Sequence, residues 1–295
     1  MDLLNTFRGL LAFSGYVINT LFWFPVVFGL GLLKLLPIDP LKRACSWAAD
    51  QCATAWISIN NLNQAVLSGS RMVVDSLPEL SPRQWYMVIS NHQSWVDILI
   101  LQRLFNRRIP FIKFFLKWEL IFVPVIGLCW WALDFPFMRR FSAQYLKKNP
   151  HMKGKDIETT KKACEKYKTS PVTIMNFVEG TRFTEDKRDR QNSPFSQLLR
   201  PKAGGLAFTL DAMGPKLQRM LDVTIYYPDG APSFWDYLCG RVPEIRITVD
   251  QRSLEELHAI GYDSPEQKAE FQQWLNGLWH EKQRQLSDCS NDEHR

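Results

Sequence analysis

The chain of 295 residues predicts an α/β protein: a mostly parallel central sheet flanked by helices, behind an N-terminal hydrophobic membrane-anchoring helix or helical hairpin. Three observations lead there. An uncharged run rich in Leu, Phe, Val and Ile extends from Gly9 to Leu33. After Gly69, short β-like runs alternate with helical stretches, which is the pattern of strand–helix units with a parallel sheet. The composition, 46% hydrophobic and 22% charged, suits a chain that buries a large core and excludes disordered or collagen-like proteins.

Residues 1–37 read as the anchor. The 25 residues from Gly9 to Leu33 would span about 37 Å as a helix, enough for a hydrocarbon core of about 30 Å. A cleaved signal peptide has a shorter apolar core followed by a small-residue site, which Leu33-Lys34-Leu35-Leu36-Pro37 does not offer. Pro25 either kinks one helix or splits the run into a re-entrant hairpin. Lys34, Lys42 and Arg43 follow the run and only Arg8 precedes it, so the bulk of the chain is expected in the cytoplasm, on the inner membrane if the source is bacterial. A second apolar stretch, Leu120–Leu133, is too short to span. It reads either as a buried core helix or as an interfacial segment with Trp130 and Trp131 at headgroup depth.

Residues 38–68 read as a helical connector, with Pro40 near its start and Trp47, Ala48, Cys52, Ala55, Trp56 and Ile59 at helical spacing. Residues 69–287 form the α/β domain. Within it, Arg71–Val74, Trp85–Ser90, Ile109–Phe111, Val172–Val178, Val223–Tyr227 and Glu244–Val249 read as strands. Asp97–Phe105, Ile157–Tyr167, Gly204–Met213 and Pro265–Gln285 read as helices. Residues 288–295 are a polar tail.

Six cysteines without a CxxC pair exclude the usual zinc-ribbon and redox spacings and point to a reduced, cytosol-facing protein. No metal site is expected, because the histidines outside the site below do not cluster. The net charge of +6 fits an anionic surface or a phosphorylated small molecule. Gly-x-Ser-x-Gly, P-loop and Gly-x-Gly-x-x-Gly patterns are all absent.

Two loops carry the chemistry. A strand ending at Ser90 runs into Asn91-His92-Gln93-Ser94-Trp95-Val96-Asp97, so His92 projects near the carboxyl end of a strand, where open α/β sheets place ligands. Asp97, five residues on in the first helical turn, can fold back towards the imidazole, and a carboxylate there would fix its tautomer and free the other nitrogen as a base. Ser94-x-x-Asp97 also matches a capping box, which would make Asp97 structural. The second loop is Glu179-Gly180-Thr181-Arg182 after Val172–Val178. There Gly180 permits unusual backbone angles, Thr181 offers a hydroxyl, and Arg182 offers a fork of donors suited to phosphate. A strand-end turn with a surface salt bridge is the competing reading. Lys117, Arg139 and Arg140 flank the second apolar stretch and read either as anion ligands or as ordinary surface cations.

Together these motifs resemble the glycerolipid acyltransferase family, which includes the 1-acylglycerol-3-phosphate acyltransferases. Asn91–Asp97 resembles its Asn-His-x-x-x-x-Asp motif and Glu179–Arg182 its Glu-Gly-Thr-Arg motif. Lys117-x-Glu119-Leu120, Gly127 and Phe137–Arg140 resemble the weaker second motif, and Pro201–Gly205 with Val223–Pro228 the fourth. Phe183–Asn192 and Asp236–Gln251 look more like the lysocardiolipin and lysophosphatidylinositol branch. Met138-Arg139-Arg140 departs from the more usual Ile-Asp-Arg. The resemblance implies catalysis by His92 and Asp97. It implies acceptor binding by Glu179, Gly180, Thr181 and Arg182, helped by Lys117, Gly127 and Arg140. The implied acceptor is 1-acyl-sn-glycerol 3-phosphate, giving phosphatidic acid, or else another lysophospholipid such as lysophosphatidylglycerol or lysocardiolipin. The donor is an acyl thioester, acyl-CoA or acyl-acyl-carrier protein, drawn at a phospholipid membrane. No other cofactor and no nucleic acid is implied. A neutral imidazole is required, so activity should fall at acidic pH. A binding module for anionic lipids is the alternative, and it would have no need of the His92–Asp97 pair.

Overall fold

The computed structural model describes residues 2–138, 164–168 and 170–292. Helix α1 (Asp2–Leu33) keeps Pro25 inside a single helix, so the apolar run does not fold back at that residue. The chain turns after Leu33 into α2 (Asp39–Asn63), where Pro40 sits in the first turn, a position whose amide has no helical acceptor. A π-turn over Gln64–Ser68 ends at Gly69, whose φ of 67° lies in the left-handed region.

The two helices form an antiparallel pair held by polar contacts on an apolar background. Asn19 Nδ2 donates to Asn60 Oδ1 at 2.8 Å and to the Trp56 carbonyl at 2.9 Å. Asn63 Nδ2 donates to the Ala12 carbonyl at 2.9 Å. Small residues let α1 lie close: a Cβ on Gly15 would meet Asn63, and one on Gly31 would meet Trp131 and Ala132. Beyond the helix end, Lys34 Nζ pairs with Asp134 at 2.6 Å. Ala12, Tyr16, Asn19 and Val27 are buried, while Leu3, Phe7, Leu10, Ile18 and Phe22 on other faces stay exposed.

The α/β domain is built on a six-stranded sheet. Its strands are β1 (Arg71–Val74), β2 (Tyr86–Ser90), β3 (Ile112–Phe114), β6 (Thr173–Asn176), β7 (Arg219–Tyr226) and β8 (Glu244–Ser253), in the order β1-β8-β7-β2-β6-β3. A separate two-stranded ribbon joins β4 (Leu116–Lys117) to β5 (Phe137–Met138). Every pairing in the main sheet is parallel except β7 with β8. Strand β2 is buried along its full length, as a central strand covered on both faces must be. On one face Met87, Ile89, Ile174 and Met220 pack under α6 (Ala203–Met213) and α9 (Pro265–Asp292). On the other, Tyr86, Val88, Met175 and Leu221 pack under α3 (Val96–Phe105). A lysine clamps the closing helix to the sheet: Lys282 is buried, ion-paired to Asp222 at 2.7 Å and hydrogen-bonded to the Val223 carbonyl at 2.7 Å.

Several boundaries move from the sequence reading. Pairing at the β3 edge starts at Ile112 rather than Ile109, because Pro110 has no amide to donate. Strands β7 and β8 run longer than expected because they pair antiparallel, from Arg219↔Ser253 to Tyr226↔Arg246. Helix α9 continues to Asp292, into what reads as tail. Of the helix expected over 157–167, residues 157–163 lie outside the described residues, while Lys166–Lys168 form a 3-10 turn. The second apolar stretch divides. Trp118–Phe122 is a 3-10 helix, α4 (Ile126–Ala132) packs its Trp130, Trp131 and Ala132 inward around α1 and α2, and Phe122, Val123, Ile126 and Leu128 remain exposed.

Candidate active site

Parallel neighbours end at the same edge of a sheet. Since β2 pairs in parallel with β6 and β7, the loops after Ser90, Asn176 and Tyr226 are brought together at the carboxyl edge. Two side chains tie them to one another. Asn91 is buried and brackets Ile225, its Nδ2 donating to the carbonyl at 2.8 Å and its Oδ1 accepting from the amide at 2.9 Å. Glu179 is also buried, with Oε1 accepting from the His92 amide at 3.2 Å and Oε2 from the Leu199 amide at 3.0 Å.

His92 and Asp97 meet as expected. His92 Nδ1 lies 2.9 Å from Asp97 Oδ2. That oxygen also accepts the amides of Gln93 at 2.7 Å and Ser94 at 2.9 Å, while Oδ1 accepts the Tyr227 hydroxyl at 2.6 Å. Ser94 Oγ in turn accepts from the Val96 amide at 3.1 Å, so the carboxylate that holds the imidazole also ties down the turn leading into α3. Four polar partners converge on this one carboxylate and hold it in place. Burial and the adjacent Asp97 charge push the Tyr227 phenol well above its usual value of 10.0, so it stays a donor. With Nδ1 directed at a carboxylate, Nε2 is the free nitrogen among the described residues. The ring also stacks on Phe177, centroids 3.8 Å apart and planes 14° from parallel. Phe177 stacks in turn on Phe114 of β3 at 6.3 Å.

Gly180 adopts φ 74° and closes a tight turn through its amide to the Phe177 carbonyl at 2.8 Å. That turn sends the chain back past the histidine, where the Phe183 amide donates to the His92 carbonyl at 2.7 Å. Arg182 is exposed, and its guanidinium lies 4.9 Å from the ring centre of Trp95, itself exposed. Among the described residues no carboxylate pairs with Arg182, so its donor fork is open to an anion. Thr181 Oγ1 accepts from Lys187 Nζ at 3.1 Å, and the Arg182 carbonyl accepts from the same ammonium at 2.8 Å. Lys187 therefore adds a second cation beside Arg182.

Three expected ligands stand differently. Glu179 is turned inward onto backbone amides, and burial raises its carboxyl from 4.5 to about 8, so its place is behind the loop rather than on a phosphate. Gly127 faces backbone: a Cβ there would lie 2.2 Å from the Ile121 carbonyl oxygen, which makes it a packing position. Gly127→Ala is expected to destabilise the fold by about 1–3 kcal/mol, read as a lowered melting temperature, with the acceptor KM of the remaining folded protein unchanged. Arg140 lies outside the described residues. Lys117 is exposed on β4, three residues past the end of β3 and so on the same sheet edge as His92. The sequence reading gave no role to Tyr227, Phe177, Trp95 or Lys187. The first two were hidden because sheet order, not local pattern, places them.

An imidazole held by a buried carboxylate, with an arginine unpaired among the described residues in the neighbouring strand-end loop, thus sits at the carboxyl edge of a mostly parallel sheet, where α/β proteins place their ligands. The chain belongs to the Acyltransferase family, whose model matches residues 72–227, from β1 through the whole site to Tyr227. It is similar to lysocardiolipin acyltransferase 1 of Mus musculus, 25% identical over 289 residues that cover 90% of this chain and 71% of that protein. It is also similar to the probable 1-acyl-sn-glycerol-3-phosphate acyltransferase 5 of Arabidopsis thaliana, 22% identical over 314 residues that cover 100% of this chain and 76% of that protein. The crystal structure of the 1-acyl-sn-glycerophosphate (LPA) acyltransferase from Thermotoga maritima shares the fold, with a TM-score of 0.56 at 15% identity, covering 98% of this chain and 97% of that one.

Proposed function

We propose that this enzyme transfers a fatty acyl group from an acyl thioester to the free hydroxyl of 1-acyl-sn-glycerol 3-phosphate, giving phosphatidic acid. The observation that carries the reading is the His92–Asp97 pair at 2.9 Å with Nε2 left free. In this mechanism Nε2 takes the hydroxyl proton as the oxygen attacks the thioester carbonyl. The tetrahedral centre collapses with loss of the C–S bond, and the imidazolium returns the proton to the departing thiolate. Asp97 orients the ring and stabilises the imidazolium. No acyl-enzyme is needed, and the donor is acyl-CoA or acyl-acyl-carrier protein.

Arg182 binds the acceptor phosphate in this reading, with Lys187 behind it, Trp95 beneath it, and Lys117 and Arg140 as further cations. The exposed apolar residues of α1 together with Phe122 and Ile126 would hold the site at headgroup depth, where both substrates partition, with the domain on the cytoplasmic side. Arg182→Ala is expected to raise the acceptor KM at least tenfold with a smaller change in kcat, since a charge-assisted contact contributes about 1.5–3 kcal/mol. An unchanged KM would remove Arg182 from the phosphate.

The likeness to lysocardiolipin acyltransferases favours one second reading, in which the same reaction serves lysocardiolipin or lysophosphatidylglycerol. Thiol release from oleoyl-CoA, measured in mild detergent with lysophosphatidate and a panel of other lysophospholipids, ranks the acceptors. No acceptor-dependent thiol release with either CoA or acyl-carrier-protein donors would overturn the proposal and leave a lipid-binding module.

A further inference from the structure

A cavity of about 1000 Å³ lies at the amino edge of the sheet, opposite the edge that carries His92. Its walls come from the segments that lead into β2, β3 and β6 and from the first half of α2. The wall residues are strongly biased toward cations, and their carboxylates are already taken. Asp134 accepts from Lys34 at 2.6 Å and Lys166 at 3.0 Å, Asp50 from the buried Lys113 at 3.0 Å, and Asp39 from Lys42 at 3.4 Å. Three guanidinium groups remain. Among the described residues no carboxylate pairs with Arg43, Arg83 or Arg107, and all three line the cavity. Arg107 is fixed there by Nε donation to Ser58 Oγ at 3.2 Å, on a backbone with φ 62°. Like charges held around one hollow repel each other until an anion enters, and guanidinium groups match phosphate oxygens in geometry.

The rim adds a second property. Trp47 lines the cavity and is 68% exposed, and Leu35, Leu36 and Ile38 of the adjoining turn are exposed as well. A basic hollow with an apolar lip suits a ligand that is anionic at one end and greasy at the other. We propose that this cavity is a second anion site, separate from Arg182, that binds the phosphate group of a phospholipid headgroup or of a soluble phosphate through Arg43, Arg83 and Arg107.

The test uses the full chain in detergent carrying Arg182→Ala, so that the acceptor-phosphate position is weakened, and no acyl donor is present, so turnover plays no part. Isothermal titration with dihexanoyl phosphatidate and, separately, with inorganic phosphate is compared with the same protein carrying Arg43→Gln and Arg83→Gln. Both arginines are without ion pairs among the described residues, and melting temperatures check that the fold is kept. Saturable binding weakened at least tenfold by the glutamines, and restored in large part by Arg43→Lys with Arg83→Lys, is the expected result. Tighter binding of phosphatidate than of phosphate names a lipid as the source, and equal affinities name a soluble phosphate. No saturable binding of either anion, or affinities untouched by the glutamines, overturns the site. Because neither readout involves acyl transfer, failure here leaves the proposed reaction standing, and the reverse holds too.

Discussion

Replacing His92 with alanine is expected to lower kcat by about 10²–10⁴-fold, the usual contribution of a positioned general base, while the protein stays folded. The side chain is half of a pair whose other half, Asp97, keeps its Gln93, Ser94 and Tyr227 donors without the imidazole. The structural cost is therefore confined to a void beside Phe177. The acceptor KM should move little, because Arg182 and Lys187 are untouched. Steady-state thiol release at saturating acceptor reads the first number, and a melting curve guards the fold. Wild-type kcat in a folded variant would sink the base assignment and with it the proposed chemistry.

Glu179→Gln should impair the site as severely by a different route. Both carboxylate oxygens accept amides, from His92 and from Leu199. A glutamine has only one oxygen, so its NH₂ must face a backbone donor. Leaving that buried group unsatisfied costs about 1–3 kcal/mol, and it loosens the loop that carries His92. A lowered melting temperature together with a lowered kcat is the expected outcome. The pH dependence separates this from a ligand role. Burial raises the folded carboxyl to about 8 from 4.5, so the folded state holds the extra proton. The stability contribution is then full below pH 4.5 and is lost as pH rises through about 8. The glutamine variant lacks this slope. Equal slopes in the two proteins would show that Glu179 does not titrate in the fold.

The class of fold and the core of the site were legible for physical reasons. Apolar runs such as Tyr86–Ser90 and Val172–Val178 are too continuous for half-exposed strands, and each ends in a polar loop, so His92 and Arg182 had to emerge at one edge. Local pattern could not reveal that β7 lies beside β2 in the sheet, since strand order is set by pairing between segments far apart in the chain. It therefore gave no reason to bring Tyr227 to Asp97. Glu179 joins the acceptor ligands only through the motif resemblance, and nothing local in the loop foretells its burial on the His92 and Leu199 amides. Gly127 enters the acceptor set only through the motif resemblance, and in the fold it sits backbone against backbone.

The close seating of α1 has a practical side. A spanning anchor is interchangeable, since any sufficiently greasy helix can replace it. This one is keyed to its bed by Gly15, Asn19 and Gly31. Deleting it would lay bare Asn60, Asn63 and the surface beneath Trp131, trading one sticky face for another. Anyone seeking a tractable form of this enzyme for crystallisation or screening should keep the first helix whole and exchange its outward leucines and phenylalanines for polar residues.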